Sequence, residues 1–148
     1  MMVVGSHHSA FSISDLERSI DFYCGKLGFE VVWKRVNREP YVRRIVGYPT
    51  AEIHQALLRF PASDHCLELM DYRGVERTPV DTSPPNPGTA HICLLVRNLQ
   101  AFYDDLTAQG VKSVGPPVLV ESGANEGRLA VYMFDPDGFP VELLEVLD

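Results

Sequence analysis

The chain says nearly the same thing twice, and a repeat of this length constrains the fold more than any local motif does. Near the N-terminus it reads His8-Ser-Ala-Phe-Ser-Ile-Ser-Asp15-Leu16, and it begins again at His91 with His91-Ile-Cys-Leu-Leu-Val-Arg-Asn98-Leu99. Each copy runs from a histidine through an apolar strand pattern into a capped amphipathic helix. Each half closes on an apolar strand interrupted by one acid, Cys66-Leu-Glu68-Leu-Met70 and Pro140-Val-Glu142-Leu-Leu144. The reading is an α+β chain of two tandem β-α-β-β-β modules in a single domain. The modules span 1–72 and 89–148, and the linker at 73–88 carries Pro79, Pro84, Pro85 and Pro87.

The first module starts with a strand over 3–13. Ser14 with Glu17 makes a capping-box pattern, and Leu16, Ile20, Tyr23 and Leu27 recur at helical spacing. Gly25 falls inside that helix, and Gly28 is its stop. Strands are expected at 29–36, 52–60 and 65–72, with a short helix from Tyr41 to Val46. In the second module a strand covers 89–96, and Asn98 caps a helix whose Leu99, Phe102 and Leu106 face inward. Strands near 111–120, 128–135 and 139–147 follow, and Asp135-Pro-Asp-Gly138 is the turn between the last two.

Strand side chains alternate between faces. Phe11 and Ile13 therefore share the face away from His8, and Leu94 and Val96 share the face away from His91. Glu68 and Glu142 each stand between apolar neighbours and point away from the face those neighbours line. A carboxylate inside an apolar strand is costly unless it is paired or bound to a metal. His8, Glu68, His91 and Glu142, at matched points of a repeat, form one expected metal site built from two half-modules. Two imidazoles and two carboxylates suit one divalent ion, Zn²⁺, Ni²⁺, Co²⁺, Mn²⁺ or Fe²⁺. Such an ion leaves room for a substrate that chelates through neighbouring oxygens. Glu68 or Glu142 is the base, and two similar half-sites leave both alternatives open. His7 points to the other face of the strand, and a register slip of one residue exchanges it with His8.

Charge and cysteine content remove other classes. The net charge is −7, which opposes nucleic-acid binding. No apolar run approaches the roughly 20 residues of a membrane span. Cys24, Cys66 and Cys93 are odd in number and lack Cys-x-x-Cys spacing, so reduced thiols and a cytoplasmic location are expected. Cys66 and Cys93 read as small lining residues.

These features together resemble the vicinal oxygen chelate superfamily, which includes glyoxalase I, epimerases, extradiol dioxygenases and bleomycin-resistance proteins. The residues carrying the resemblance are His8, Ser14-Asp-Leu-Glu-Arg-Ser19, Phe22-Tyr23, Leu67-Glu68-Leu69, His91, Asn98-Leu99 and Asp135-Pro-Asp-Gly-Phe-Pro-Val-Glu142-Leu. The resemblance implies paired β-α-β-β-β modules in a partly open mixed-sheet barrel around the metal, and a homodimer. It places the ligand role on His8, Glu68, His91 and Glu142. It also implies a metal-dependent isomerase, epimerase or lyase of the glyoxalase I-like type, working through a metal-stabilised enolate of a small substrate. The alternatives are an Fe²⁺ extradiol-type dioxygenase, and a drug- or metabolite-binding protein without turnover. Met70-Asp71-Tyr72-Arg73 after Glu68 departs from the bacterial glyoxalase I pattern, and epimerases often carry glutamine where Glu68 stands.

The first half is longer than the second between its histidine and its glutamate, and the surplus falls in Lys34 to Arg44. That stretch holds five of the 13 basic residues and a single acid, Glu39. Arg35, Arg43 and Arg44 are the expected grip for an anionic substrate group, since guanidinium matches carboxylate and phosphate as a planar fork. Trp33 is expected to line the pocket.

Overall fold

The computed structural model describes residues 2–147, and it divides into two compact units, Met1–Thr78 and Pro79–Asp148. The first contains β1 (His8–Ser12), α1 (Leu16–Tyr23), β2 (Glu30–Asn37), α2 (Pro40–Val46), β3 (Glu52–Arg59) and β4 (Cys66–Arg73). Its four-stranded sheet has the order β1-β4-β3-β2, with β1 parallel to β4 and the other pairs antiparallel. The second contains β5 (Ile92–Val96), α3 (Leu99–Ala108), β6 (Val118–Leu119), β7 (Leu129–Phe134) and β8 (Pro140–Glu145). Its order is β5-β8-β7-β6, with β5 parallel to β8. The architecture is α+β, two four-stranded mixed sheets, and neither closes into a ring among the described residues.

In the first unit Phe11, Leu67, Leu69, Ala56 and Leu58 share one face of the sheet and are buried beneath α1. Tyr23, wholly buried, meets Phe22 and Phe29 edge to face at ring separations of 5.1 and 5.9 Å. The N-cap is Asp15, not Ser14. Its carboxylate accepts the Arg18 amide at 3.0 Å, while the Ser14 hydroxyl accepts the Arg18 guanidinium instead. The strand expected over 3–13 contracts to His8–Ser12, the stretch that has a partner in β4. Gly25 lies beyond the end of α1 rather than within it.

In the second unit the expected strand over 111–120 is cut to Val118–Leu119 and a lone bridge from Ser113 to Met133. Pro116 and Pro117 have no amide hydrogen to give a ladder, which explains the loss. Asn98 occupies the N-cap of α3 in a left-handed conformation, φ +53°, and makes no side-chain cap. The orphan amide of Leu99 is taken by the Glu145 carboxylate of β8 at 2.9 Å. The turn before β8 forms as expected: Asp135 Oδ1 accepts the amides of Asp137 and Phe139, and Gly138 supplies φ +87°.

Two ion-pair groups hold the periphery of the first unit. Asp71, 1% exposed, accepts from Arg73 Nε at 2.9 Å and from Arg77 at 2.8 Å. Arg77 also donates to the Ile13 carbonyl at 3.2 Å, which ties the start of the linker to the sheet. In the second unit the linker residue Thr82 donates to the Gly138 carbonyl at 2.7 Å. The other group spans the α2 excursion, where Arg38 donates to Glu52 through Nε and, at 3.0 Å, through Nη2. His54 also meets that carboxylate.

Arg38 first, and His54 second, hold the Glu52 carboxyl down to about 2, from an ordinary value near 4.5. Because the folded value is the lower one, the stabilisation is complete above about pH 4.5 and is lost as pH falls towards 2. Glu52→Gln is therefore expected to flatten the acid limb of the urea midpoint against pH, relative to wild type. Superimposable acid limbs in the two proteins would refute this.

Among the described residues no helix is long and apolar enough to cross a membrane.

Candidate metal centre

Each unit brings one histidine against one glutamate, and does so through the same register. In the first, β1 lies parallel to β4 with Ala10 opposite Glu68, and His8 Nε2 stands 3.2 Å from Glu68 Oε2. In the second, β5 lies parallel to β8 with Cys93 opposite Glu142, and His91 Nε2 stands 3.2 Å from Glu142 Oε2. In both, the residue two past the histidine faces the acid. The sequence places His91 in a strand, whereas here it immediately precedes β5. Neither unit by itself gathers three or more His, Cys, Asp or Glu side chains suited to a metal, among the described residues.

The donor set fits a divalent ion. Imidazole and carboxylate ligands lie about 2.1 Å from such an ion, so two of them stand about 3.0 Å apart at a right angle and about 3.4 Å apart at a tetrahedral one. The observed 3.2 Å in each pair falls between these values.

Behind Glu68 runs a buried chain of amides that the sequence reading missed. Gln55 Nε2 donates to Glu68 Oε1 at 2.9 Å, and Asn37 Nδ2 donates to Gln55 Oε1 at 2.9 Å. Gln55 is 3% exposed and Asn37 6%. Gln55 follows His54 and precedes Ala56-Leu57-Leu58, so it does not stand between apolar neighbours as the two glutamates do, and the sequence did not mark it out. His7 also behaves differently from its expected role. It precedes β1, so strand alternation does not turn it away, and its Nδ1 lies 2.7 Å from His8 Nδ1. That leaves His8 Nε2 directed at Glu68. Outer partners of this kind orient metal ligands. Gln55→Leu is expected to weaken divalent-metal binding about 10- to 100-fold in a competition titration, with the fold retained. An affinity equal to wild type would refute it.

The second pair is dressed differently. The Tyr132 hydroxyl lies 3.4 Å from both His91 Nε2 and Glu142 Oε2, long contacts that a small movement would close. Its ring meets the His91 imidazole edge to face at 5.3 Å. Burial, then the Glu142 charge, pushes the Tyr132 phenol above its usual range, so it stays a donor. The Cys93 thiol is pushed up to about 11, by desolvation first and by Glu142 second, which keeps it protonated and supports a lining role. The counterpart of Tyr132 in the first unit is Leu57, opposite Glu68, and the counterpart of Gln55 in the second is Ala130.

The substrate candidates separate into two groups. Trp33 and Arg35 lie on β2, and Arg35 Cζ is 4.5 Å above the Trp33 ring. Arg43 and Arg44 lie on α2 and line a cavity of about 400 Å³ with Pro40, Gly47 and Pro49. Arg43 directs its Nε–H to the Ala51 carbonyl at 2.9 Å, which leaves its terminal nitrogens for other partners.

Comparison with known proteins places this geometry in a class. The chain belongs to the glyoxalase/bleomycin resistance protein/dioxygenase superfamily, whose defining pattern matches residues 5–143. It is 31% identical over 144 residues to a lactoylglutathione lyase of Escherichia coli O157:H7, covering 95% of this chain and 92% of that one. It is 27% identical over 148 residues to a 2-epi-5-epi-valiolone epimerase of an Actinomyces species, covering 97% of this chain and 80% of the other. Among solved structures, a glyoxalase family protein from Bacillus cereus shares the fold with a TM-score of 0.85 at 19% identity, covering 100% of this chain and 97% of that one.

Proposed function

We propose that this protein is a divalent-metal-dependent isomerase, epimerase or lyase of the glyoxalase I-like type. Its substrate is a small molecule that presents two neighbouring oxygens. The observation that carries the reading is the duplicated pair: one histidine and one glutamate, 3.2 Å apart, at the same register in each unit. Relatives named as a lyase and an epimerase support chemistry of this type. His8, Glu68, His91 and Glu142 would hold the ion. When bound, it supplies Lewis-acid stabilisation of negative charge developing on a substrate oxygen.

The chain's own residues then divide the remaining work. Glu68 has one oxygen towards His8 and the other fixed by Gln55, so it is suited to stay in place. Glu142 has a more exposed side chain, 24% against 11%, and a hydroxyl donor beside it in Tyr132. We assign it the proton-abstracting role at the carbon beside the substrate carbonyl. The Tyr132 phenol steadies the carboxylate and orients His91. The functional unit is expected to be a homodimer, which sedimentation would report.

The test is metal content per chain, by plasma mass spectrometry, on protein purified without a histidine tag and again after reconstitution. About one divalent ion per chain supports the reading, and nickel, cobalt, zinc or manganese favours the isomerase type over an iron dioxygenase. No bound ion after reconstitution overturns it and favours a ligand-binding protein without turnover.

A further inference from the structure

A one-residue irregularity in β2 decides what the ligand-bearing face of the first sheet presents. Val31 pairs with Leu58, but the next pairing is Trp33 with Leu57, so Val32 is an extra residue in the ladder. From there Arg35 pairs with Gln55 and Asn37 with Ile53. Residues directly opposite in neighbouring strands share a face. Glu68, Leu57 and Trp33 therefore form one row, and Met70, Gln55 and Arg35 form the next. Without the extra residue Val32 would stand opposite Leu57, and Trp33 and Arg35 would lie on the other face. Bulges recur beside functional sites because they re-aim side chains in this way.

The bulge turns a particular chemistry onto this face. The Arg35 guanidinium lies over the Trp33 ring, its Cζ 4.5 Å from the ring centroid, a cation–π contact that holds the charge beside the indole. Two of its basic neighbours are committed to carboxylates, Lys34 to Glu17 and Arg38 to Glu52. Arg35 has no carboxylate partner among the described residues, in a chain with 20 acids and 13 bases. Adjacent strands are about 4.8 Å apart, so Trp33 and Arg35 stand roughly 10 Å across the sheet from Glu68.

We infer that Trp33 and Arg35 form an anion-recognition site on the Glu68 face, for a carboxylate or phosphate carried on the substrate roughly 10 Å from its chelating oxygens. The inference rests on the metal-centre reading for the chelating end of the substrate only. A neutral molecule of the same length would lack the group that Arg35 binds.

Trp33 is the only tryptophan in the chain, so intrinsic fluorescence reports this site alone. In metal-free protein, inorganic phosphate titrated at constant ionic strength is expected to change Trp33 emission saturably in wild type and not in Arg35→Gln. In Co²⁺-loaded protein, 2-oxosuberate is expected to bind about tenfold or more tightly than its ω-methyl ester. Arg35→Gln is expected to erase that preference and Arg35→Lys to restore part of it. An unsaturable phosphate response, a response unchanged in Arg35→Gln, or equal binding of acid and ester overturns the inference. The phosphate titration needs no metal, so failure of the metal reading shows separately, as absent Co²⁺ absorption.

Discussion

Replacing His8 and Glu142 together with alanine is expected to take metal content from about one ion per chain to near none. The pair removes one ligand from each half-site and leaves Glu68 and His91 unaccompanied. Partners behind a ligand are worth about 10- to 100-fold in affinity, and loss of two direct ligands must exceed that. Neither side chain belongs to the packed core: His8 is 34% exposed and Glu142 24%. The metal-free variant should therefore melt close to metal-free wild type, which separates ligand loss from unfolding. Full metal occupancy in the double variant would remove both residues from the site. The single variants Glu68→Gln and His91→Ala extend the same measurement to the other half of each pair.

The second large effect is on stability and lies at Asp71. Its carboxylate is 1% exposed, while its partners Arg73 and Arg77 are 52% and 44% exposed. The asymmetry decides which truncation costs more. Removing both arginines strands a buried charge, and such a loss costs about 3–5 kcal/mol. Asp71→Asn instead frees two guanidiniums that are already half in water, and is expected to cost about 1–2 kcal/mol. Urea unfolding should rank Arg73→Ala with Arg77→Ala as the more damaging change, with a melting temperature lower by about 10 °C or more. The reverse order would show that the arginines, not the carboxylate, carry the burial penalty.

The architecture could be read from the chain where periodicity reflects burial. Apolar residues at alternate positions put Phe11 and Leu69 inside, and the acids set between apolar neighbours stood out as Glu68 and Glu142. Matched spacing across the repeat then picked out the histidines. What escaped depended on contacts distant in sequence or on one residue of register. Gln55 is an ordinary polar residue until Glu68 and Asn37 are folded around it. The cap of α3 comes from Glu145, far along the chain, because Asn98 adopts a left-handed backbone that aims its side chain elsewhere. Val31-Val32-Trp33 contains nothing that announces a bulge, so the face taken by Trp33 and Arg35 followed only from the pairing of β2 with β3. Adjacent Ser14 and Asp15 both suit an N-cap, and the choice between them rested on which side chain reached the Arg18 amide.

The shared register of the two halves also bears on where such a chain can be altered without disturbing both halves at once. The paired strands that bring His8 to Glu68, and His91 to Glu142, share one register, while the neighbouring strand differs: leucine at position 57 against tyrosine at 132, glutamine at 55 against alanine at 130. The two halves thus present two copies of one chassis, alike in how a histidine is set against a glutamate and different in the strand beside that pair. Substitution at those few neighbouring positions would change the surroundings of one histidine–glutamate pair at a time and leave the other pair as it is.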